Sequence, residues 1–279
     1  MTPRIVVLLA LVASCASPGR AEPVVSAEVF ADAKEGTEAY VCVPIELSTH
    51  GRAIAAIRWA VPPGHLAWHH ATLYGAPRSV ALPADCIEMP PSAHSIHVWF
   101  NGGDDLVLPE GVGLRLPADA ERLFVQAHVM RTGPSEARPA TVSVTLRDAP
   151  TEEARWIGVG ASVPAIRPRM TETSGTRCRF SASGRMIFAW PHMHRVGVRA
   201  TVELLRGATR ETVVDVAPFA FDAQRTYPVS AAVDPASVLE LTCTWRNPGD
   251  EYVLPGVKTT DEMCTLGMVV TGAVDAACD

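Results

Sequence analysis

An all-β chain of two antiparallel β-sandwich domains is the fold class that the sequence predicts. Three observations carry this. Short stretches of strand length recur along the chain, Gly- and Pro-rich turn signals separate them, and no segment sustains a helical period. In the first half, strand-like runs fall at residues 39–47, 54–61, 66–74, 95–100, 123–130 and 140–146. After a polar stretch come 186–190, 196–205, 238–245 and 266–271. From Val196 to Leu204 apolar and polar residues alternate, as a half-buried strand requires. Turns are marked by Pro62-Pro63-Gly64, Asn101-Gly102-Gly103, Asn247-Pro248-Gly249 and Pro255-Gly256. Ser174-Gly175-Thr176 reads as one more loop. Asp148-Ala149-Pro150-Thr151-Glu152-Glu153 is the best polar break near the midpoint, so the domains are expected at residues 22–150 and 151–279.

Residues 1–21 read as an export signal. Arg4 supplies a thin basic start, residues 5–13 an apolar run too short to span a bilayer, and small residues follow. Val12-Ala13-Ser14-Cys15 has the form of a lipoprotein cleavage box, which would leave Cys15 lipidated; the alternative is ordinary cleavage near Ala21, after Gly19 and Arg20. The destination is then the periplasm, an outer-membrane anchor or the medium. The remaining chain, about 260 residues, is long enough for two domains with substantial cores. Six cysteines remain besides Cys15, an even number that suggests three disulfides in an oxidising compartment. No CxxC pair is present, so a zinc ribbon or thioredoxin-type site has no support. The net charge of −6 with no basic cluster argues against nucleic acid. Lys34 and Lys258 are the only lysines among 24 basic residues; with the abundant alanine this suggests a GC-rich bacterial genome.

The chemistry-bearing residues are histidines and one methionine. His192 and His194 flank Met193, and strand residues two apart share a face, so two imidazoles can stand side by side. Met263, in Asp261-Glu262-Met263-Cys264, offers a thioether. That soft donor suits copper, particularly Cu(I), and suits zinc, magnesium or calcium poorly. Upstream lie His69 and His70, then His128 in an apolar run. Alone, His128 reads as a satisfied core residue, and adjacent histidines on an ideal strand point to opposite faces, so His69 and His70 could share an ion only at a distortion or strand end. His94 and His97 do not fit same-face spacing and are set aside, as are His50 and His65 near turns.

In their order the motifs are specific. His69-His70 with Leu73-Tyr74-Gly75, then Gln126-Ala127-His128, His192-Met193-His194 and Asp261-Glu262-Met263-Cys264, supported by Tyr40-Val41-Cys42 and by residues 108–115, cover nearly all of the chain after the signal. In this the chain resembles the copper type II, ascorbate-dependent monooxygenases, the family of the peptidylglycine α-hydroxylating and dopamine β-monooxygenases. The resemblance implies two jelly-roll-like domains, each with one copper, facing each other across a solvent-filled cleft. It implies that His69, His70 and His128 hold an electron-storing copper, and that His192, His194 and Met263 hold the copper where dioxygen binds and substrate is attacked. It also implies the disulfides Cys42–Cys86, Cys178–Cys278 and Cys243–Cys264.

The activity so implied is hydroxylation of a C–H bond of a small organic substrate, with electrons from ascorbate or another external reductant. At the family's carboxylate-gripping positions this chain has Trp190, Thr265 and Gly267. The loss of a bidentate cation there argues against a peptidylglycine substrate and for an apolar or aromatic one. Two other readings remain: an exported copper-sequestering protein with the same ligands and no turnover, and an interaction module that binds no metal.

Overall fold

The computed structural model describes residues 24–45, 51–62, 66–83, 85–100, 103–134 and 138–279. The signal-like segment 1–21 with Cys15, and His50 and His65, lie outside the described residues.

The first half contributes β1 (Val24–Val29), β2 (Glu38–Ile45), β3 (Ala53–Ala60), β4 (Leu66–Ala76) and β5 (His94–Phe100). It continues with β6 (Leu106–Val107), β7 (Val112–Leu114), β8 (Arg122–Arg131) and β9 (Ala140–Arg147). The second half adds β10 (Glu152–Gly160), β11 (Thr171–Phe180), β12 (Gly184–His192), β13 (Gly197–Arg206) and β14 (Thr209–Val216). A short 3-10 turn, Phe221–Ala223, leads to β15 (Tyr227–Val233), β16 (Val238–Arg246), β17 (Thr265–Thr271) and β18 (Ala276–Cys278).

The chain is thus an all-β sandwich protein. A four-stranded sheet has the order β2-β8-β4-β5, and a five-stranded sheet the order β14-β13-β16-β11-β18. A nine-stranded sheet, β1-β9-β3-β7-β10-β17-β12-β15 with β6 beside β3, runs through both halves. The halves meet in it where β7 pairs in parallel with β10, from Glu152↔Val112 to Ala154↔Leu114.

Alternation creates the cores. On β9 the inward residues Ala140, Val142, Val144 and Leu146 are buried, and on β16 Leu239, Leu241, Cys243 and Trp245 are. Each large apolar side chain so removed from water contributes roughly 1.5–3 kcal/mol. One core gathers residues of β3, β4, β8 and β9; the other gathers residues of β11, β12, β13, β16 and β17.

The tripeptide Ser174-Gly175-Thr176 is not a loop but the middle of β11. Its signal was weak because most of the strand is exposed or half-exposed, with Cys178 and Phe180 as its buried residues. Gly175 has a steric role there: a Cβ would stand 2.5 Å from the Leu241 carbonyl oxygen on β16. β10 was missed for a similar reason, since it opens with Glu152 and Glu153 inside the polar break.

Disulfides join Cys42 to Cys86, Cys178 to Cys278 and Cys243 to Cys264. Three such bonds suggest an exported or extracellular protein. Among the described residues no helix is long and apolar enough to cross a membrane.

Candidate metal centre

His69 and His70 escape the geometric objection to adjacent histidines because β4 is distorted there. Its register against β8 shifts between Trp68 and His70, so that Trp68 faces Val129 and His70 faces His128. The extra residue of the bulge is His69. Both rings then approach His128, with centroids 5.1 Å from it in each case. Tyr40 stacks on His128 at 4.0 Å.

His192 ends β12, where it pairs with Thr265 of β17, and His194 follows; their ring centroids are 5.0 Å apart. Met263 lies two residues before Thr265, and the main chain there is tied to the histidine segment by Glu262. That carboxylate, 1% exposed, accepts the backbone N–H groups of His194 (2.9 Å), Val196 (2.7 Å) and Met263 (3.3 Å). The Trp245 indole donates to it as well, at 3.0 Å. The Cys243–Cys264 bond fixes the other flank of Met263.

The two histidine groups face one another through aromatic rings. Phe100, paired with His70 across β4 and β5, stacks on His192 at 4.7 Å. Phe221 lies 5.5 Å from His69 and 5.9 Å from His194. Aromatic side chains thus stand between the groups where the resemblance implied a solvent-filled cleft. The halves are also laced at this point. Tyr40 donates its hydroxyl to the Val257 carbonyl (2.6 Å), and Thr259 donates to Glu38 (2.9 Å).

Ring nitrogens are divided in a regular way. His128 donates Nε2–H to Glu38 (3.1 Å), and among the described residues Nδ1 has no hydrogen-bond partner. His192 donates Nδ1–H to Gln224 Oε1 (2.7 Å), and His194 donates Nδ1–H to the Asp261 carbonyl (3.0 Å); among the described residues neither Nε2 atom has a hydrogen-bond partner. Gln224 is itself fixed by donating to the Phe221 carbonyl at 3.0 Å. Nε2 of His69 is buried without a partner.

Burial keeps these rings neutral, which is the metal-binding form. It pushes His192 down to about 3, helped by the charge of His194. It takes His128 to about 4, helped by His69 and opposed by Glu38. His70 is held well below the ordinary histidine range, chiefly by burial. For Glu38 burial acts upward, but hydrogen bonds from Thr259 and His128 win and leave its carboxyl below the usual range.

Do these groups fit the copper that the resemblance implies? An imidazole bound at about 2.0–2.1 Å has its ring centre about 3.2 Å from the ion, so two such rings at a tetrahedral angle lie about 5 Å apart. The observed 5.0 and 5.1 Å separations match. Among the described residues no three His, Cys, Asp or Glu side chains form a ready-made metal site. Closing on an ion therefore requires the rings to turn, and the C-terminal set would need its thioether. The donor set, neutral imidazoles with a thioether, fits copper.

Trp190, Thr265 and Gly267 line a pocket of about 290 Å³ together with His192, Phe100 and Trp156. Gln126, also in the motifs, is structural here: its amide donates to the Cys86 and Ile87 carbonyls. His94 and His97 do not come together. His94 pairs with Asp119 at the surface, whereas His97 is fully buried, accepts from the Trp59 indole at 3.4 Å and packs edge-on against Trp156 and Trp190. Sequence reasoning missed Gln224, Glu38 and Phe221, and gave Glu262 no role. Glu262 could have been suspected, since an acidic residue beside a ligand invites a tethering role; Gln224 carries no local signal.

Burial pushes His97 down to about 3. Its folded value lies below the unfolded value of about 6.5, so the unfolded chain takes up the proton first. The corresponding stability is complete above pH 6.5 and declines as pH falls toward 3. In His97→Gln the slope of unfolding free energy between pH 5 and pH 6 is expected to flatten by about 1.2 kcal/mol per pH unit, nearly one proton's worth. Urea midpoints of the metal-free chain check this, and an unchanged slope would contradict it.

Residues 160–270 match the family model described as copper type II ascorbate-dependent monooxygenase, C-terminal domain. The match supports this family and covers the segment that carries His192, His194 and Met263. No curated protein matches the chain. Some solved structures are distantly similar. One is an allantoicase at 10% identity, covering 87% of this chain and 80% of that one with a TM-score of 0.22. Another is the infectious bursal disease virus VP2 subviral particle at 10% identity, 90% and 72% coverage and a TM-score of 0.22. Scores so low carry no argument.

Proposed function

We propose that this chain is an exported copper-dependent monooxygenase that hydroxylates a C–H bond of a small organic substrate. The observation that carries the reading is the division of ring nitrogens. His128 commits Nε2, and His192 and His194 commit Nδ1, so each ring keeps one nitrogen for an ion at ring spacings that suit one. The family match over residues 160–270 supports it independently.

On this reading His69, His70 and His128 hold one copper, and His192, His194 and Met263 hold a second. Copper so held supplies one-electron transfer and dioxygen chemistry. The net reaction is R–H + O₂ + 2 e⁻ + 2 H⁺ → R–OH + H₂O, with ascorbate or a similar external reductant giving the electrons. The chain's own work is orientation and exclusion of water. Gln224 and the Asp261 carbonyl fix the two C-terminal imidazoles, Glu38 fixes His128, and Phe100 and Phe221 shield the space between the groups. Trp190, Thr265 and Gly267 border the substrate's position beside His192. Export proceeds through residues 1–21, with Cys15 lipidated in an anchored form or cleavage near Ala21 in a free one.

The test is copper analysis with oxygen uptake. Two coppers per chain, with oxygen consumption that needs both a reductant and an organic substrate, is the expected result. A copper-sequestering chain would load and consume none, and a chain that takes up no metal would defeat the copper reading altogether. Since ligand-orienting hydrogen bonds tune affinity by about 10- to 100-fold, Gln224→Leu is expected to weaken the C-terminal site by that factor and spare the other. Competition with a copper chelator measures it.

A further inference from the structure

We infer that the pocket beside His192 takes an uncharged alkyl-aromatic molecule of one or two rings, held between a pair of packed indoles and strand β5, with any polar group at the end remote from His192. This rests on the reading of the chain as a monooxygenase and names its substrate class.

Strand register builds the pocket in rows. His192, Thr265 and Gly160 lie side by side on β12, β17 and β10, and Trp190, Gly267 and Gly158 form the next row. Three of these six positions carry no side chain, so the sheet there is a shallow trough. Gly267 is required by sterics: a Cβ would stand 2.4 Å from two atoms of the Trp156 ring, so that indole lies across the glycine. Trp156 packs on Trp190 at 4.9 Å, and Trp190 is held by its hydrogen bond to Thr226. Flat aromatic faces favour an aromatic guest, in offset or edge contacts.

The opposite wall is β5. Its register against β4 passes from Leu73↔His97 to Tyr74↔Ser95, leaving Ile96 as an extra residue. That bulge returns Ser95 to the face of Val98 and Phe100, and all three line the pocket. Phe100 marks the His192 end. Ser95 marks the other, and its buried hydroxyl has no hydrogen-bond partner. An unsatisfied hydroxyl in such a wall is costly unless something meets it.

Charge and size narrow the class. Among the described residues no Asp, Glu, Lys or Arg lines the pocket. A carboxylate or ammonium placed there would give up part of its hydration against apolar walls and meet no ionic partner. The volume of about 290 Å³ is roughly twice the 150 Å³ or so that accommodates benzene. For such a guest the reaction is ArCH₂R + O₂ + 2 e⁻ + 2 H⁺ → ArCH(OH)R + H₂O, with an enediol reductant oxidised by one electron twice.

The experiment is calorimetric titration of the full chain, metal-free and copper-loaded, with 4-ethylphenol, tyramine and 3-(4-hydroxyphenyl)propanoate. These share a phenol ring and differ in charge. The neutral compound is expected to bind at least tenfold more tightly than either charged one. Gly158→Leu is the blocking variant, because the nearest atom to its Cβ is Trp156 Nε1 at an ordinary 3.8 Å. It should cost at least tenfold in 4-ethylphenol affinity with the melting temperature unchanged. Ser95→Ala should weaken 4-ethylphenol and leave ethylbenzene unaffected.

A charged analogue binding as tightly as the neutral one, no binding by any of the three, or full affinity in Gly158→Leu would each overturn the inference. Undiminished 4-ethylphenol binding in Ser95→Ala would overturn the assigned orientation. Binding is read without turnover, so a chain that binds 4-ethylphenol but never consumes oxygen refutes the monooxygenase reading and leaves the pocket standing.

Discussion

Met263→Ile is expected to abolish substrate-dependent oxygen consumption, to below about 1% of the parent chain, while the N-terminal copper stays bound. Isoleucine keeps the apolar bulk of the half-buried position but has no sulfur, so only the soft donor is lost. The backbone at Met263 should hold, because Glu262 and the Cys243–Cys264 bond fix it from either side. Copper per chain should fall from two toward one under a competing chelator, with the melting temperature of the metal-free chain nearly unchanged. Hydroxylation that survives the change would show that the oxygen chemistry sits elsewhere. Retention of two tightly bound coppers would remove the sulfur from the ligand set.

Glu262→Leu is expected to have the largest effect on stability. Its carboxylate accepts three backbone N–H groups and one indole N–H in a site closed to water. Each buried donor left without a partner costs about 1–3 kcal/mol. Four together reach at least about 4 kcal/mol, a large share of the 5–15 kcal/mol that holds a typical domain together. The fall in melting temperature should be about 10 °C or more. Glu262→Gln should be intermediate, because it keeps one acceptor oxygen but turns an NH₂ group toward existing donors. Burial holds the Glu262 carboxyl above the usual range, and the four N–H groups it accepts oppose that shift, so the side chain acts as a hydrogen-bonding tether in a dry setting. A drop of under about 3 °C in Glu262→Leu would refute the tether. So would a C-terminal segment still able to hold copper as tightly as before.

Much of the architecture was legible because burial writes a period into the strands. β9 and β16 alternate cleanly, and both were found within a residue or two of their ends. β11 and β10 were not, since strands with a mostly solvated face need few apolar residues and borrow their order from β16 and β17. For the site, spacing was enough to pair His192 with His194. It was not enough for His69 and His70, where a bulge that no local residue announces overturns the simple rule of opposite faces. The residues that orient the rings were harder still. Gln224 reaches His192 from 32 positions away, and Glu38 reaches His128 from 90. Contacts of that range are made by topology, and a single sequence carries no trace of them. The pocket is a mixed case: Trp190, Thr265 and Gly267 were singled out, but Trp156 and Ser95 enter only through register and the Ile96 bulge.

The three-residue parallel seam between β7 and β10 has a mechanical consequence. Because the nine-stranded sheet passes through it, the two halves share a spine and are not beads on a string. The seam and the contacts of Tyr40 with Val257 and of Thr259 with Glu38 together fix how the two histidine groups face one another. The same seam bears on dissection. A fragment cut to residues 160–270 would lose β10 almost entirely and leave β17 as a raw border, with its backbone groups open to another chain. Such a fragment is expected to self-associate more than the intact chain, although it holds three of the donor side chains.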